Sequence, residues 1–310
     1  MICGVRGRRG ARAAAAFAAA GAIASLLAAC STASVSASGG ASPASHGAVT
    51  PRGNSTSSPA AAPSASATAP SASATAPSRR PLVGKVIVLD PGHNGENFSH
   101  PATINRLVNV ITEMKPCDTT GTETDAGYSE HAFTFNVAMR LARLLRAEGA
   151  TVILTRHNDH GVGPCITQRA AIGNRAHADA AISIHADGGP PGGSGFDVIE
   201  PGLLAGHNDG IIGPSRRLAL AVRGAYHRIT HEPYANYVGD HGLDVRTDLG
   251  GLNLSTVPKV FIECGNMRNA GDAAKLSSAA FRQRIAAALA AGFTAFLAPA
   301  GGANIPGVPG

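Results

Sequence analysis

Apolar positions follow two spacings along this chain. Short continuous runs read as strands at Lys85–Leu89, Thr151–Thr155, Ala180–His185, Phe196–Glu200 and Lys259–Glu263. Apolar residues recurring every three or four positions read as helices at Glu130–Glu148, Ile166–Ala176, Ser215–Thr230 and Ala279–Leu297. The runs VIVLD and AAISI are apolar without alternation, as strands buried on both faces should be. The alternation of elements therefore predicts an α/β fold: a single domain whose mostly parallel central sheet carries helices on both faces. Two long connections interrupt it, His93 to Glu130 and roughly Pro201 to Pro258, and loops of that length are usually functional or mobile.

Three of the apolar runs end in residues that bind metals. VIVLDPGH closes on His93, AAISIHAD carries His185 and KVFIECGN carries Glu263. In open α/β sheets the functional crevice forms where the carboxyl ends of the strands meet, so runs distant in sequence can deliver side chains to one point. Glu130 sits just before the apolar-periodic stretch AFTFNVAMRLARLLRAEG and would project from the first turn of its helix. Two imidazoles and one carboxylate form a known catalytic zinc set with one position left for water. Each residue also has a plainer reading. A lone histidine at a strand end is commonly a hydrogen-bonded structural residue, and Glu130 could be a charge at a helix N-terminus worth about 0.3–1 kcal/mol. Glu263 could pair with an arginine, since a carboxylate ending an apolar strand is costly to bury alone.

Taken in order, the contexts LDPGH, SEHAFTFNVAMRLARLLRAEGATVILTRHND, QRAAIGNRAHADAAISIHAD and PKVFIECGNMRN resemble the zinc-dependent N-acetylmuramoyl-L-alanine amidases of bacterial cell walls. The resemblance runs from about Pro81 to about Ala298. It implies one zinc ion held by His93, Glu130 and His185, with Glu263 taking a proton from the attacking water and returning it to the departing amine. It implies peptidoglycan or its muropeptide fragments as substrate, cut between N-acetylmuramic acid and the L-alanine of the stem peptide. In that family the connection after the first histidine is commonly shorter, so here it reads as an insertion that edges or covers the cleft. His131 stands where the family pattern often has lysine. His241 in GDHGLD could reach substrate from a cleft-facing loop, Asn266 could orient the stem peptide, and Arg156 and Arg169 read as loop anchors paired with acids such as Asp159 or Asp179.

Composition sets the limits of the folded part. Four arginines precede residue 30 without an acid, so the net charge of +6 leaves only about +2 beyond them, too little to argue for nucleic acid. Residues 1–30 combine a basic start, the apolar run AAAAFAAAGAIASLLAA and Cys30, the layout of an export signal rather than a membrane span. Leu27, Ala28, Ala29 and Cys30 resemble a bacterial lipobox, which implies lipidation of the Cys30 thiol; the alternative is plain cleavage beside an incidental cysteine. Residues 31–80 are almost all Ser, Ala, Thr, Pro and Gly and cannot bury enough apolar surface to fold, so they read as a disordered tether. The catalytic domain is expected over 81–298, followed by a flexible tail over 299–310. Together these place the enzyme outside the cytoplasm, in the cell envelope, held at the membrane through Cys30 or otherwise secreted; a monomer is expected.

Export allows disulfides. Cys117 and Cys165 can pair in an oxidising compartment, or stay as free thiols. Cys264, beside Glu263 at a strand end, reads as a small buried filler; as a nucleophile paired with His185 it would leave His93 and Glu130 without a reason. A wall-binding lipoprotein that holds peptidoglycan without cutting it, and a zinc peptidase acting on the stem's own peptide bonds, are the competing functions.

Overall fold

Burial along β1 (Val86–Pro91) shows how the sheet is used. Ile87 and Leu89 face one apolar cluster with no exposed surface, and Val88 faces a second cluster on the other side. The computed structural model describes residues 80–298. The expectations for the export signal, Cys30, the tether up to residue 79 and the tail over 299–310 lie outside the described residues.

After β1 come α1 (Pro101–Ile104), β2 (Leu107–Asn109), β3 (Met114–Pro116), α2 (Glu130–Ala147), β4 (Thr151–Leu154), α3 (Ile166–Arg175) and β5 (Ala180–Asp187). They are followed by β6 (Asp197–Pro201), α4 (Asp209–Thr230), β7 (Leu243–Arg246), α5 (Gly250–Asn253), β8 (Lys259–Asn266), α6 (Ala270–Leu276) and α7 (Ala279–Leu297). Six strands form the central sheet in the order β4-β1-β5-β8-β6-β7. The first four are mutually parallel, β6 runs antiparallel to β8, and β7 is parallel to β6. The mostly parallel sheet is thus as predicted, with one reversal.

On one face α2 lays Phe133, Val137, Leu141 and Leu145 against the sheet, and α7 adds Phe281, Ile285, Leu289 and Phe293. Four-residue spacing puts each set on one helix stripe, and full burial of such a side chain contributes about 1.5–3 kcal/mol. Tyr226 of α4 joins the same core and donates its hydroxyl to the Cys264 carbonyl at 2.7 Å. The opposite face is covered by α3, with Val88, Ala181 and Val257 packed near Ile172. Helices therefore lie on both faces.

The structure extends the sequence reading in three places. α4 starts at Asp209 and contains Pro214, so the helix begins six residues before the expected Ser215; Pro214 has no N–H to give the Gly210 carbonyl and so costs the helix that one bond. β7 is only four residues long and half polar, which hides it from periodicity. Inside the long connection after His93, β2 and β3 pair as an antiparallel hairpin. That insertion is tied down by a disulfide between Cys117 and Cys165, the N-cap of α3. Cys264 is a free, buried thiol. Among the described residues no helix is long and apolar enough to cross a membrane.

Candidate metal centre

The parallel strands β1, β5 and β8 end side by side, and the residues at their carboxyl ends share one row. Gly92 donates its N–H to the Ile184 carbonyl at 3.0 Å, and His185 pairs in register with Glu263. Gly92 has to be glycine because a Cβ there would run into the His185 imidazole. The chain then turns at His93, whose φ of 58° lies in the left-handed region that non-glycine residues seldom adopt. This turn points the His93 ring back over the sheet towards His185, their centroids 4.8 Å apart and nearly perpendicular.

Glu130, the first residue of α2, completes the group. Its Oε1 accepts from the Ala186 N–H at 3.2 Å and lies 2.9 Å from His185 Nδ1. Its Oε2 accepts from the Thr122 N–H at 3.0 Å and lies 3.1 Å from His93 Nε2. One ligand atom from each of His93, Glu130 and His185 falls within 4.8 Å of the others. Each side chain is also held from behind. His93 Nδ1 donates to the Thr119 carbonyl at 3.0 Å, which fixes the tautomer that leaves Nε2 free to bind. His185 stacks on Phe261 at 4.1 Å and 12°. Gly121 brings bare backbone past the pair, since a Cβ there would come within 2.8 Å of both Glu130 Oε2 and the His93 ring.

The electrostatics suit a cation. Burial opposes charge on His93, yet Glu130 and Asp118 overcome it and raise the imidazole to about 10. Burial likewise opposes ionisation of Glu130, but His93 and His185 hold it far below the usual carboxylate range. Burial lowers His185. Glu263 is pushed well above its ordinary value by burial, then by Glu130, Asp197 and Asp187. Its Oε2 is sealed from solvent without a hydrogen-bond partner among the described residues. A divalent ion fits this set: two imidazole nitrogens and a carboxylate oxygen converge, and an orphaned carboxylate stands beside them.

All four residues line a cleft of about 440 Å³ at the strand ends. The insertion does form its edge, through Lys115, Pro116 and Asp118 to Thr122, and Leu249 to Gly251 line the same cleft, with Gly250 packed against Val110 of the insertion. Arg156 pairs with Asp159 at 2.9 Å, as expected. Arg169 does not pair with Asp179. It binds Asp90 at 3.0 Å and Asp118 at 3.1 Å, because Asp179 sits at the far end of the strands, where it meets Lys85 at 3.1 Å. His241 is exposed, beside Asp240 and outside the cleft, so it has no place at the site. Asn266 is fully buried and donates to the Pro190 and Gly193 carbonyls, which makes it a loop clamp rather than a substrate contact. His131 contacts Asp159 at 2.8 Å.

Asp118, Thr119 and Thr122 were not legible as site residues, since nothing in the insertion marks which of its polar side chains fold inward. Asp90 gave a signal: it is the charged residue inside the apolar LDPGH run, and it accepts from Thr155, Ser183, Arg169 and Lys259 beneath the site.

Residues 87–295 match the family model described as N-acetylmuramoyl-L-alanine amidase. An N-acetylmuramoyl-L-alanine amidase of Mycobacterium tuberculosis is 42% identical over 226 residues, covering 72% of this chain and 90% of that protein. The crystal structure of the N-acetylmuramyl-L-alanine amidase Ami1 from Mycobacterium smegmatis is similar with a TM-score of 0.66 at 40% identity, covering 70% of this chain and 98% of that one. The apo form of Ami1 from Mycobacterium abscessus gives a TM-score of 0.66 at 42% identity, covering 70% and 100%. Fold, site geometry and likeness agree, and the chain belongs to the N-acetylmuramoyl-L-alanine amidase family.

Proposed function

We propose that this chain is a zinc-dependent amidase that hydrolyses the bond between the lactyl group of N-acetylmuramic acid and the L-alanine of the stem peptide. The observation that carries the reading is the convergence of His93, Glu130 and His185 in one cleft, with Glu263 beside them, its Oε2 without a hydrogen-bond partner among the described residues. When bound there, zinc supplies Lewis acidity towards the amide carbonyl and makes water a competent nucleophile near neutral pH.

The chain's own residues do the rest. Glu263 takes the proton of the attacking water on its carboxylate and passes it to the leaving nitrogen of L-alanine, so a single side chain acts first as base and then as acid. Its raised proton affinity suits the second role, and the neighbouring cation favours the ionised form needed for the first. Thr119 and Thr122 hold His93 and Glu130 in place, so ligand geometry is set before substrate arrives. The cleft, walled by the insertion and by Leu249 to Gly251, admits the sugar and the stem peptide.

The same reading covers the envelope. Residues 1–30 direct export, Cys30 carries a lipid, and residues 31–80 tether a monomeric catalytic domain at 81–298, so that it reaches peptidoglycan or released muropeptides for remodelling or recycling. Incubating the full chain with muramyl dipeptide and weighing the products tests the bond assignment. Release of the free dipeptide supports it, and alanine left on the sugar contradicts it.

A further inference from the structure

The row of residues that holds the metal centre continues one strand beyond Glu263. β6 runs antiparallel to β8 with Asp197 directly opposite Glu263, and His185 lies on the other side of Glu263 in the parallel register of β5. Directly opposed residues of an antiparallel pair share a face, with Cβ atoms about 4.5–5.5 Å apart. Glu263 therefore stands between a proposed metal ligand and a second carboxyl group. Asp197 is only 1% exposed, and neither of its oxygens has a hydrogen-bond partner among the described residues.

Such a group has to be explained. An ionised carboxylate sealed in this way without a donor costs several kcal/mol, and two adjacent carboxylates do not both ionise. The groups within electrostatic reach are Asp187 at the end of β5, Glu263 on β8, Asp244 and Arg246 on β7, and Tyr237 in the loop before β7. Arg246, the one cation of this set, is bound to Asp248 at 2.7 Å. Burial, with Asp244 and Asp187 nearby, pushes Asp197 up to about 7. Asp197 does not extend the metal site, because among the described residues only His93, Glu130 and His185 bring ligand atoms together closely enough.

We propose that Asp197 is a positioning residue for Glu263: a neutral carboxylic acid that turns its O–H to the opposed Glu263 carboxylate once that group ionises, and so holds it in the orientation that meets the attacking water. This rests on Glu263 being the base. No atom is transferred from Asp197 to substrate; its proton stays in the pair while Glu263 exchanges protons with the reacting groups.

The test compares Asp197→Leu, Asp197→Ala, Asp197→Asn and Glu263→Gln in the full zinc-loaded chain with muramyl dipeptide. Loss of the donor in the Leu variant lowers kcat by about 10- to 100-fold with little change in KM, while zinc content stays at the native level and the melting temperature is unchanged or higher, since an unpaired buried polar group has been removed. The Ala variant gives the same kcat loss and stands in should the Leu variant not fold. The Asn variant keeps a neutral donor of the same shape and retains kcat within about fivefold. Native kcat in the Leu or Ala variant beside an inactive Glu263→Gln overturns the role of Asp197 alone. An Asn variant as impaired as the Leu variant also overturns it. A fully active Glu263→Gln overturns the base assignment, and Asp197 with it.

Discussion

Arg169 donates through Nη2 to the main-chain oxygen of His93 at 3.0 Å, and the same nitrogen reaches the Asp118 carboxylate at 3.1 Å. Nη1 binds Asp90 at 3.0 Å and the Pro91 carbonyl at 2.8 Å. One buried guanidinium thus fixes both the strand end that presents His93 and the loop segment whose Thr119 orients it. Arg169→Met removes that fork and leaves the buried Asp118 carboxylate without its arginine, with only His93 and the Thr119 N–H beside it. Loss of one partner of a buried ion pair costs about 3–5 kcal/mol, which urea unfolding of the variant will register, together with weaker metal retention.

The tight passage of Gly92 under the His185 ring gives a second expectation. Gly92→Ala places a methyl group where the imidazole now lies, and the ring must move out of its stack on Phe261. Overpacking of this kind costs about 1–3 kcal/mol, yet the larger effect falls on ligand geometry. Zinc titration of the variant is expected to show at least tenfold weaker binding while circular dichroism stays native.

The disulfide between Cys117 and Cys165 spans 48 positions and anchors the segment that carries Asp118 and Thr119. By the chain-entropy relation, closing a loop of that size stabilises the fold by about 4 kcal/mol. Replacing both cysteines with serine is expected to lower the melting temperature and to make the insertion the first region to exchange amide hydrogens.

Acid stability follows from Asp90. Burial would raise its pKa, but Lys259 and Arg169, with Ser183 and Thr155, hold it far below the usual carboxylate range. A carboxylate whose folded-state pKa is depressed contributes stability in full above its unfolded value of about 4 and loses it as pH falls below that. Urea midpoints measured from pH 6 down to pH 3 should therefore fall, steepening below about pH 4. A flat profile would show that Asp90 contributes nothing.

The fold was legible because strands buried on both faces must be apolar without a break, and VIVL, AAISI and KVFI are. The candidate ligands were legible for a related reason: a charged or imidazole side chain at the end of such a run has nowhere to go except the crevice. What escaped notice lacks that contrast. β7 holds LDVR, where two of four positions are polar, and its direction beside β6 is set by a loop whose path no periodicity encodes. The role of Asp197 depends on β6 running antiparallel to β8, a topological fact that puts it opposite Glu263 and that residue patterns along the chain do not contain. Arg169 anchors a loop as expected, but through Asp90 and Asp118, which are nearer in space than acids such as Asp159 or Asp179 that lie nearer in sequence.

The central claim is that His93, Glu130 and His185 together hold one zinc ion on which hydrolysis depends. The most direct measurement is dipeptide release from muramyl dipeptide by the full chain before chelation, after chelation, and after zinc is returned, with bound metal counted at each stage. The account predicts one zinc per chain, loss of release when the ion is stripped, and recovery on adding one equivalent. Undiminished release from a chain shown to carry no metal would contradict it.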